Sequence, residues 1–150
     1  MASVEASIDV NVDVTTAYNQ WTQFESFPQF MENVRSVTQL DDRHLHWVAE
    51  IGGQVREWDA EITEQIPDQR IAWTSVSGAP NSGIVTFQPL GDNICRVHLR
   101  LDYEPEGMME SAADFLGVVD RQVKNDLERF KQFIESRGQE TAGWRERIAS

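Results

Sequence analysis

Between Ala112 and Ile134, apolar side chains recur as Ala112, Leu116, Val119, Val123, Leu127, Phe130 and Ile134, at spacings of 4, 3, 4, 4, 3 and 4. That is one face of a single α-helix of about 28 residues and roughly 40 Å. A helix this long with one apolar stripe has to bury the stripe, and the rest of the chain must supply the partner. Up to Pro105 and Gly107 the chain is written almost entirely in the other period, the alternation of β-strands.

Val4, Ala6, Ile8, Val10 and Val12 alternate with polar residues, which predicts a strand over residues 4–12. Asp13 to Thr16 read as a helix start, with short oxygen-bearing side chains that accept from free N–H groups. Ala17, Tyr18, Trp21 and Phe24 follow at helical spacing, and a second short helix or turn is expected over residues 25–31, with Pro28 near its start. Six further strands are expected over residues 34–40, 45–51, 55–66, 70–76, 83–90 and 94–103. Asp41-Asp42, Gly52-Gly53, Pro67-Asp68, Gly78 to Asn81 and Gly91-Asp92-Asn93 punctuate them. The gaps are short, so sequence neighbours pair as antiparallel hairpins.

Alternation assigns the faces. Leu45, Trp47, Ala49 and Ile51 share one, as do Trp58, Ala60, Ile62 and Ile66, then Ile71, Trp73 and Ser75, then Val85 and Phe87, then Cys95, Val97, Leu99, Leu101 and Tyr103. Glu57, Asp59 and Glu61 take the opposite side, with Arg96, His98, Arg100 and Asp102. The expected fold is α+β: a curved seven-stranded antiparallel sheet around the long C-terminal helix, with two short helices after the first strand. Residues 1–137 form one domain, the helix stopping near Arg137-Gly138, and 138–150 read as a flexible tail in which Trp144 alone could dock.

Several segments resemble the helix-grip superfamily, which includes START lipid-transfer domains and the birch-pollen-allergen fold. The likeness is to its bacterial polyketide cyclase/dehydrase and coenzyme-Q-binding START-like branch. It rests on Ala17-Tyr18 through Trp21, Phe24-Glu25-Ser26-Phe27-Pro28-Gln29-Phe30-Met31, Glu57-Trp58-Asp59-Ala60-Glu61-Ile62, Arg70-Ile71-Ala72-Trp73-Thr74-Ser75, Gly83 through Val85-Thr86-Phe87, and Tyr103-Glu104-Pro105. It spans about residues 3–136. The Phe-Pro-x-Phe-Met and Trp-Asp-Ala-Glu-Ile segments are specific in combination. The family's Pro-Pro-Gly-Gly run after the last strand stands here only as Glu104-Pro105-Glu106-Gly107. What the resemblance implies is a hydrophobic ligand cavity between sheet and helix; it does not imply an enzyme.

Charge and composition narrow the partners. The chain has 25 acidic and 13 basic residues, a net charge of −12, which disfavours nucleic acid and anionic lipid surfaces. Residues 1–107 hold 17 of the acidic and only 6 of the basic groups, which points to the outer sheet face as the seat of the charge. With Lys124 and Lys131 as the only lysines, the composition also fits a salt-adapted source. A hydrophobic fraction of 40% with five Trp and seven Phe argues against disorder. One Cys excludes an internal disulfide framework and any multi-Cys zinc site. No apolar run approaches the roughly 18 residues of a membrane span, and the N-terminal segment has neither a basic nor a continuous apolar signal region. A cytoplasmic protein is expected.

Each candidate for chemistry has a plain competitor. Gly52-Gly53 lacks any phosphate-loop pattern and reads as a hairpin. His44 and His46 could place two ligands on one metal, yet their neighbours Leu45 and Trp47 claim the apolar face, so solvent is expected and no metal. Cys95 reads as a buried small hydrophobe, not a nucleophile, because His98 falls on the other face. Glu57, Asp59 and Glu61 read as a solvated face with ordinary pKa values. Arg56, in register with Trp58, takes an inner-face position near a strand end, and reaches either a ligand oxygen or solvent at the rim. Ser75 and Tyr103 also point inward and could donate to a carbonyl.

The aromatic residues give the strongest signal, because a domain this small needs few bulky rings merely to fill its core. The candidate ligand-binding set is Trp21, Phe24, Phe30, Trp47, Trp58, Trp73 and Phe87, with Leu99, Leu116 and Val119 beside them and Arg56, Ser75 and Tyr103 orienting. Met108 and Met109 are expected as an adaptable lip. The expected function is carriage or sensing of a small lipophilic molecule, such as a polyketide-like aromatic, quinone, acyl or isoprenoid compound, with no cofactor. The alternatives are a polyketide cyclase or dehydratase, and an interaction protein whose acidic face docks a basic partner.

Overall fold

A computed structural model describes residues 2–31, 33–51, 54–78, 81–103 and 112–137. The chain order is β1 (Ala2–Val10), α1 (Val14–Trp21), a 3₁₀ helix (Phe24–Gln29), β2 (Val34–Gln39), β3 (His44–Ile51), β4 (Gln54–Ile66), β5 (Arg70–Gly78), β6 (Asn81–Gly91), β7 (Ile94–Tyr103) and α2 (Ala112–Arg137). The strands form one antiparallel sheet in the order β1-β7-β6-β5-β4-β3-β2. Hairpins account for every neighbour except β1, which pairs with β7 over its whole length, Ala2 to Val10 against Tyr103 to Cys95. The fold is the helix-grip arrangement, a curled sheet with the long helix held against it.

The alternation and the stripe meet in one core. Val10, Leu45, Ala60, Ile62, Ile71, Val85, Cys95 and Val97 face inward and are buried. From α2, Val119, Val123, Leu127, Phe130 and Ile134 meet them. The C-terminal end of α2 is latched to β1. Lys131 Nζ donates to the Asp9 carbonyl at 3.0 Å and to Glu135 Oε2 at 2.6 Å, and the Asn11 N–H donates to Glu135 Oε2 at 2.8 Å.

That latch explains why β1 stops at Val10, short of the expected Val12. The Asn11 N–H is spent on α2, the chain bends, and Val12 is buried outside the strand. Asp13 then caps α1, its carboxylate accepting from the Thr16 N–H at 2.7 Å.

Strand β4 differs from simple alternation in two places. Register shifts fall between Asp59 and Ala60 and between Ile62 and Glu64. The second changes parity, so Gln65, opposite Ile71, takes the inward position and is 2% exposed. Ile66 therefore does not share the face of Trp58, Ala60 and Ile62. It pairs with Arg70 and lies outside the main core cluster. Strand β5 runs to Gly78, two residues past its expected end, because Gly78 still pairs with Trp58. Gly78 has φ +83, and a side-chain carbon there would stand 2.8 Å from Trp58 Cα.

Several expectations fall outside the described residues: the Gly52-Gly53 hairpin, the loop through Glu104, Pro105, Glu106 and Gly107, the Met108–Met109 lip, the stop at Gly138, and the tail 138–150 with Trp144. The side chains of Tyr103 and Leu116 also lie outside them.

Candidate ligand cavity

Where the sheet and α2 diverge, a cavity of about 120 Å³ opens. Trp21, Phe27, Trp47, Trp58 and Trp73 supply rings to its wall, and Met31, Val34, Ala49, Leu99 and Leu101 supply smaller apolar groups. Helix α2 contributes Val119, Gln122, Val123, Asp126 and Leu127. These five sit at i, i+3, i+4, i+7 and i+8, one complete helical face. Asn33, Glu50 and Asn81 add polar groups.

The rings hold one another. Trp47 and Trp58, directly opposite across β3 and β4, stack with centroids 5.8 Å apart and planes 7° from parallel. Phe27 meets the Trp47 ring edge to face at 5.6 Å. Trp21, 1% exposed, sits edge-on among Phe27, Phe87 and Phe130, at 4.9 Å from the last. Trp73 is half-buried and lies across the backbone of its cross-strand partner Gly83.

Of the residues expected at a ligand site, Trp21, Trp47, Trp58, Trp73, Leu99 and Val119 meet at this wall. Phe24, Phe30 and Phe87 are buried behind it, Phe30 against Phe130 and Phe133. Arg56 pairs with Ala49 on the inward register of β4, is half-buried, and stands apart from the wall. Ser75 lies opposite Ala60, where its Oγ accepts from the Asn81 N–H at 3.1 Å. Tyr103 is placed by its backbone between Ala2 and Asn81.

Sequence reasoning missed Gln122 and Asp126, because a search for an apolar stripe discards polar residues on the same face. Their spacing from Val119 was the available signal. The Asp126 side chain is 16% exposed, with Arg129 Nη1 3.9 Å from its Oδ1.

The outer face of the sheet carries exposed charged pairs. His46 Nδ1 lies 2.6 Å from Asp59 Oδ1 and its Nε2 3.3 Å from Glu57 Oε1, while the Ser77 hydroxyl donates to Asp59 Oδ2 at 2.9 Å. His46 is held above its ordinary value, chiefly by the Asp59 carboxylate. Asp59 is held below its own, chiefly by His46 and then by Ser77. This corrects the expectation of ordinary values on that face: exposure was right, but a cross-strand histidine was not considered.

Other carboxylates there are also matched across strands, Asp9 with Arg96 at 2.8 Å, Glu5 with His98 at 3.1 Å and Glu64 with Arg70 at 3.1 Å. His44 is spent on Asp41 at 2.9 Å. Among the described residues, no group of three or more His, Cys, Asp or Glu is placed to hold a metal ion. Burial pushes the Cys95 thiol up to about 11, with Asp13 and Asp9 adding to the effect. No helix among the described residues is long and apolar enough to cross a membrane.

Comparison with known proteins places this geometry. The family model described as polyketide cyclase / dehydrase and lipid transport matches residues 10–132. An uncharacterized 17.2 kDa protein from the melC2-rnhH intergenic region of Streptomyces lincolnensis is 57% identical over 146 residues, 97% of each chain. A crystal structure from Deinococcus radiodurans is 30% identical, with a TM-score of 0.70 over 90% of this chain and 98% of that one. Two more distant structures share the fold alone. A START superfamily protein of Mycobacterium smegmatis is 18% identical, with a TM-score of 0.71 over 90% and 95% of the two chains. The Zhui aromatase/cyclase of Streptomyces sp. R1128 is 14% identical, with a TM-score of 0.77 over 95% and 99%.

Proposed function

The chain belongs to the polyketide cyclase / dehydrase and lipid transport family, and from that premise we propose that it binds a small lipophilic molecule between the sheet and α2, as a carrier or sensor. One observation carries this reading: the cavity wall combines five aromatic rings with aliphatic side chains and few polar groups. Apolar walls with a handful of placed polar atoms are how proteins hold such ligands. Helix and sheet both contribute, so the site exists only in the folded chain, and a bound ligand should stabilise it. Native mass spectrometry of the purified protein, with organic extraction of whatever it carries, tests the reading together with a thermal-shift panel of lipophiles. Repeated isolation without a bound small molecule, and no shift with any member of the panel, would sink it.

A second reading, a cyclase or dehydratase acting on a bound polyketide, has one observation in its favour. Such a reaction needs a proton-transfer group inside the site, and the Asp126 carboxylate is on the wall and largely covered. The named role of Zhui as an aromatase/cyclase lends the same idea a precedent on this fold. Asp126→Asn separates the two readings. A carrier keeps its ligand affinity and shows no turnover before or after the change; an enzyme loses product while still binding.

A further inference from the structure

We propose that Trp73 selects the ligand: the free face of its indole is a stacking platform that favours a planar conjugated ring system over a saturated molecule of the same skeleton. The inference rests on the lipophile-binding reading above and narrows it.

Five rings contribute to the cavity wall, and four of them are already matched. Trp47 and Trp58 stack on each other, and Phe27 closes on Trp47. Trp21 is enclosed by Phe27, Phe87 and Phe130. These four wall residues are between 1% and 8% exposed. Trp73 differs from them on both counts. Among the described residues it packs against no other ring, and it is half-buried rather than buried.

The strand register explains how this ring comes to lie open. Trp73 follows the fully buried Ile71 at the next inward position of β5. Gly83 takes the inward position of β6 two residues before the buried Val85, directly opposite Trp73. With no side chain at 83, the indole folds sideways onto β6 instead of standing up from the sheet.

The distances give the attitude of the ring. A side-chain carbon at Gly83 would be nearest to Trp73 Cζ2, with the two atoms bonded to Cζ2, Cε2 and Cη2, both at 2.7 Å. A carbon facing the ring edge would stand much farther from those two atoms than from Cζ2, so the contact is onto the ring face. One face of the indole therefore rests on β6. The opposite face is turned away from the sheet, toward the space that Trp73 walls.

That second face is flat, backed by the sheet and unmatched. A tryptophan face pairs with another ring in offset or edge-on geometry, and the pair contributes beyond the area it buries. A saturated, puckered skeleton recovers only the burial. Leu101, opposite Gly83 on the β7 side, and Leu99 beside it supply aliphatic contacts to the ligand's rim. Gly83 is then a positioning residue, because its missing side chain keeps the platform flat.

The test compares 2-naphthol with decahydro-2-naphthol, by calorimetry and by titration of ¹⁵N-labelled protein. The two share a carbon skeleton and a hydroxyl group and differ in planarity. Loss of one indole N–H cross-peak in Trp73→Leu assigns the Trp73 signal. The expected result is about fivefold tighter binding of 2-naphthol. Its ring current also moves the Trp73 peak further than the saturated alcohol does. In Trp73→Leu the two ligands bind within about twofold of each other, and Trp73→Phe restores part of the preference. The comparison on the wild-type protein stands even if a variant fails to fold. Equal or tighter binding of the saturated alcohol overturns the platform and leaves lipophile binding intact. A preference for 2-naphthol that survives unchanged in Trp73→Leu overturns the assignment to Trp73. Binding of neither alcohol, while other lipophiles of the panel shift the melt, overturns the planar class alone. Binding of neither, with no shift from any lipophile, overturns this inference and the function it rests on together.

Discussion

Gly83 is the position where the structure makes its sharpest mechanical prediction. It pairs with Trp73 across β5 and β6, and the indole lies directly on its backbone. A side-chain carbon at 83 would stand 2.7 Å from Cε2 and Cη2 of Trp73, and nearer still to Cζ2. Carbon atoms settle at about 3.5–4.0 Å, so Gly83→Ala must lift the ring by about 1 Å. The new carbon lies between sheet and ring, so the ring moves off the sheet, into the cavity it helps to wall. Overpacking of this kind costs about 1–3 kcal/mol, or about 2–12 °C in Tm for a domain of this size. Without Trp73 the sign reverses. In a Trp73→Ala background the change removes unfolded-state freedom and should be neutral or stabilising by up to about 1 kcal/mol. The double-mutant cycle, by urea melts of the four proteins, should therefore return a coupling of about 2 kcal/mol. A coupling under about 0.5 kcal/mol would show that the ring does not rest on Gly83, and the reasoning would fail.

The fold sets three further expected outcomes. Burial works to raise the Glu135 carboxyl, but Lys131 and the Asn11 N–H outweigh it and hold it low. The latch therefore stabilises fully above the unfolded carboxyl range and is lost as pH falls through the folded value. Glu135→Gln should cost about 1–2 kcal/mol at pH 7 and progressively less as the pH is lowered below the ordinary carboxyl range, by denaturant melts at each pH. His46 is raised and Asp59 lowered by each other, so their pair needs pH below the folded His46 value and above the folded Asp59 value. The Tm difference between wild type and His46→Gln should peak near about pH 5 and fade above about pH 7; a difference largest at pH 8 would refute the assignment. Cys95 is fully buried, with its thiol pushed up to about 11, so a disulfide reagent at pH 8 should label it only after denaturation. Rapid labelling of the native protein would contradict the burial.

Much of the fold was legible in the sequence because two periods carry it. The stripe from Val119 to Ile134 and the alternations Leu45-Trp47-Ala49 and Cys95-Val97-Leu99 are each set by one element's own geometry, and each is buried as expected. What escaped depends on two elements at once. The bulge that turns Gln65 inward and Ile66 away belongs to the β4–β5 pairing, and no pattern within β4 announces it. The end of β1 at Val10 depends on a carboxylate of α2 taking the Asn11 N–H, from 124 residues away.

The same division explains the site. Alternation names which rings point inward, but it cannot separate Trp47 and Trp58, which wall the cavity, from Phe87, which fills the core behind it. That depends on where α2 leaves the sheet. Nor does charge by itself say where function lies. The outer face spends Glu5, Asp9, Glu57, Asp59 and Glu64 on cross-strand partners, and such exposed pairs contribute little to stability and weaken with salt. Asp126, on the cavity wall, is largely covered, so its charge acts through a lower dielectric than any pair on the exposed outer face.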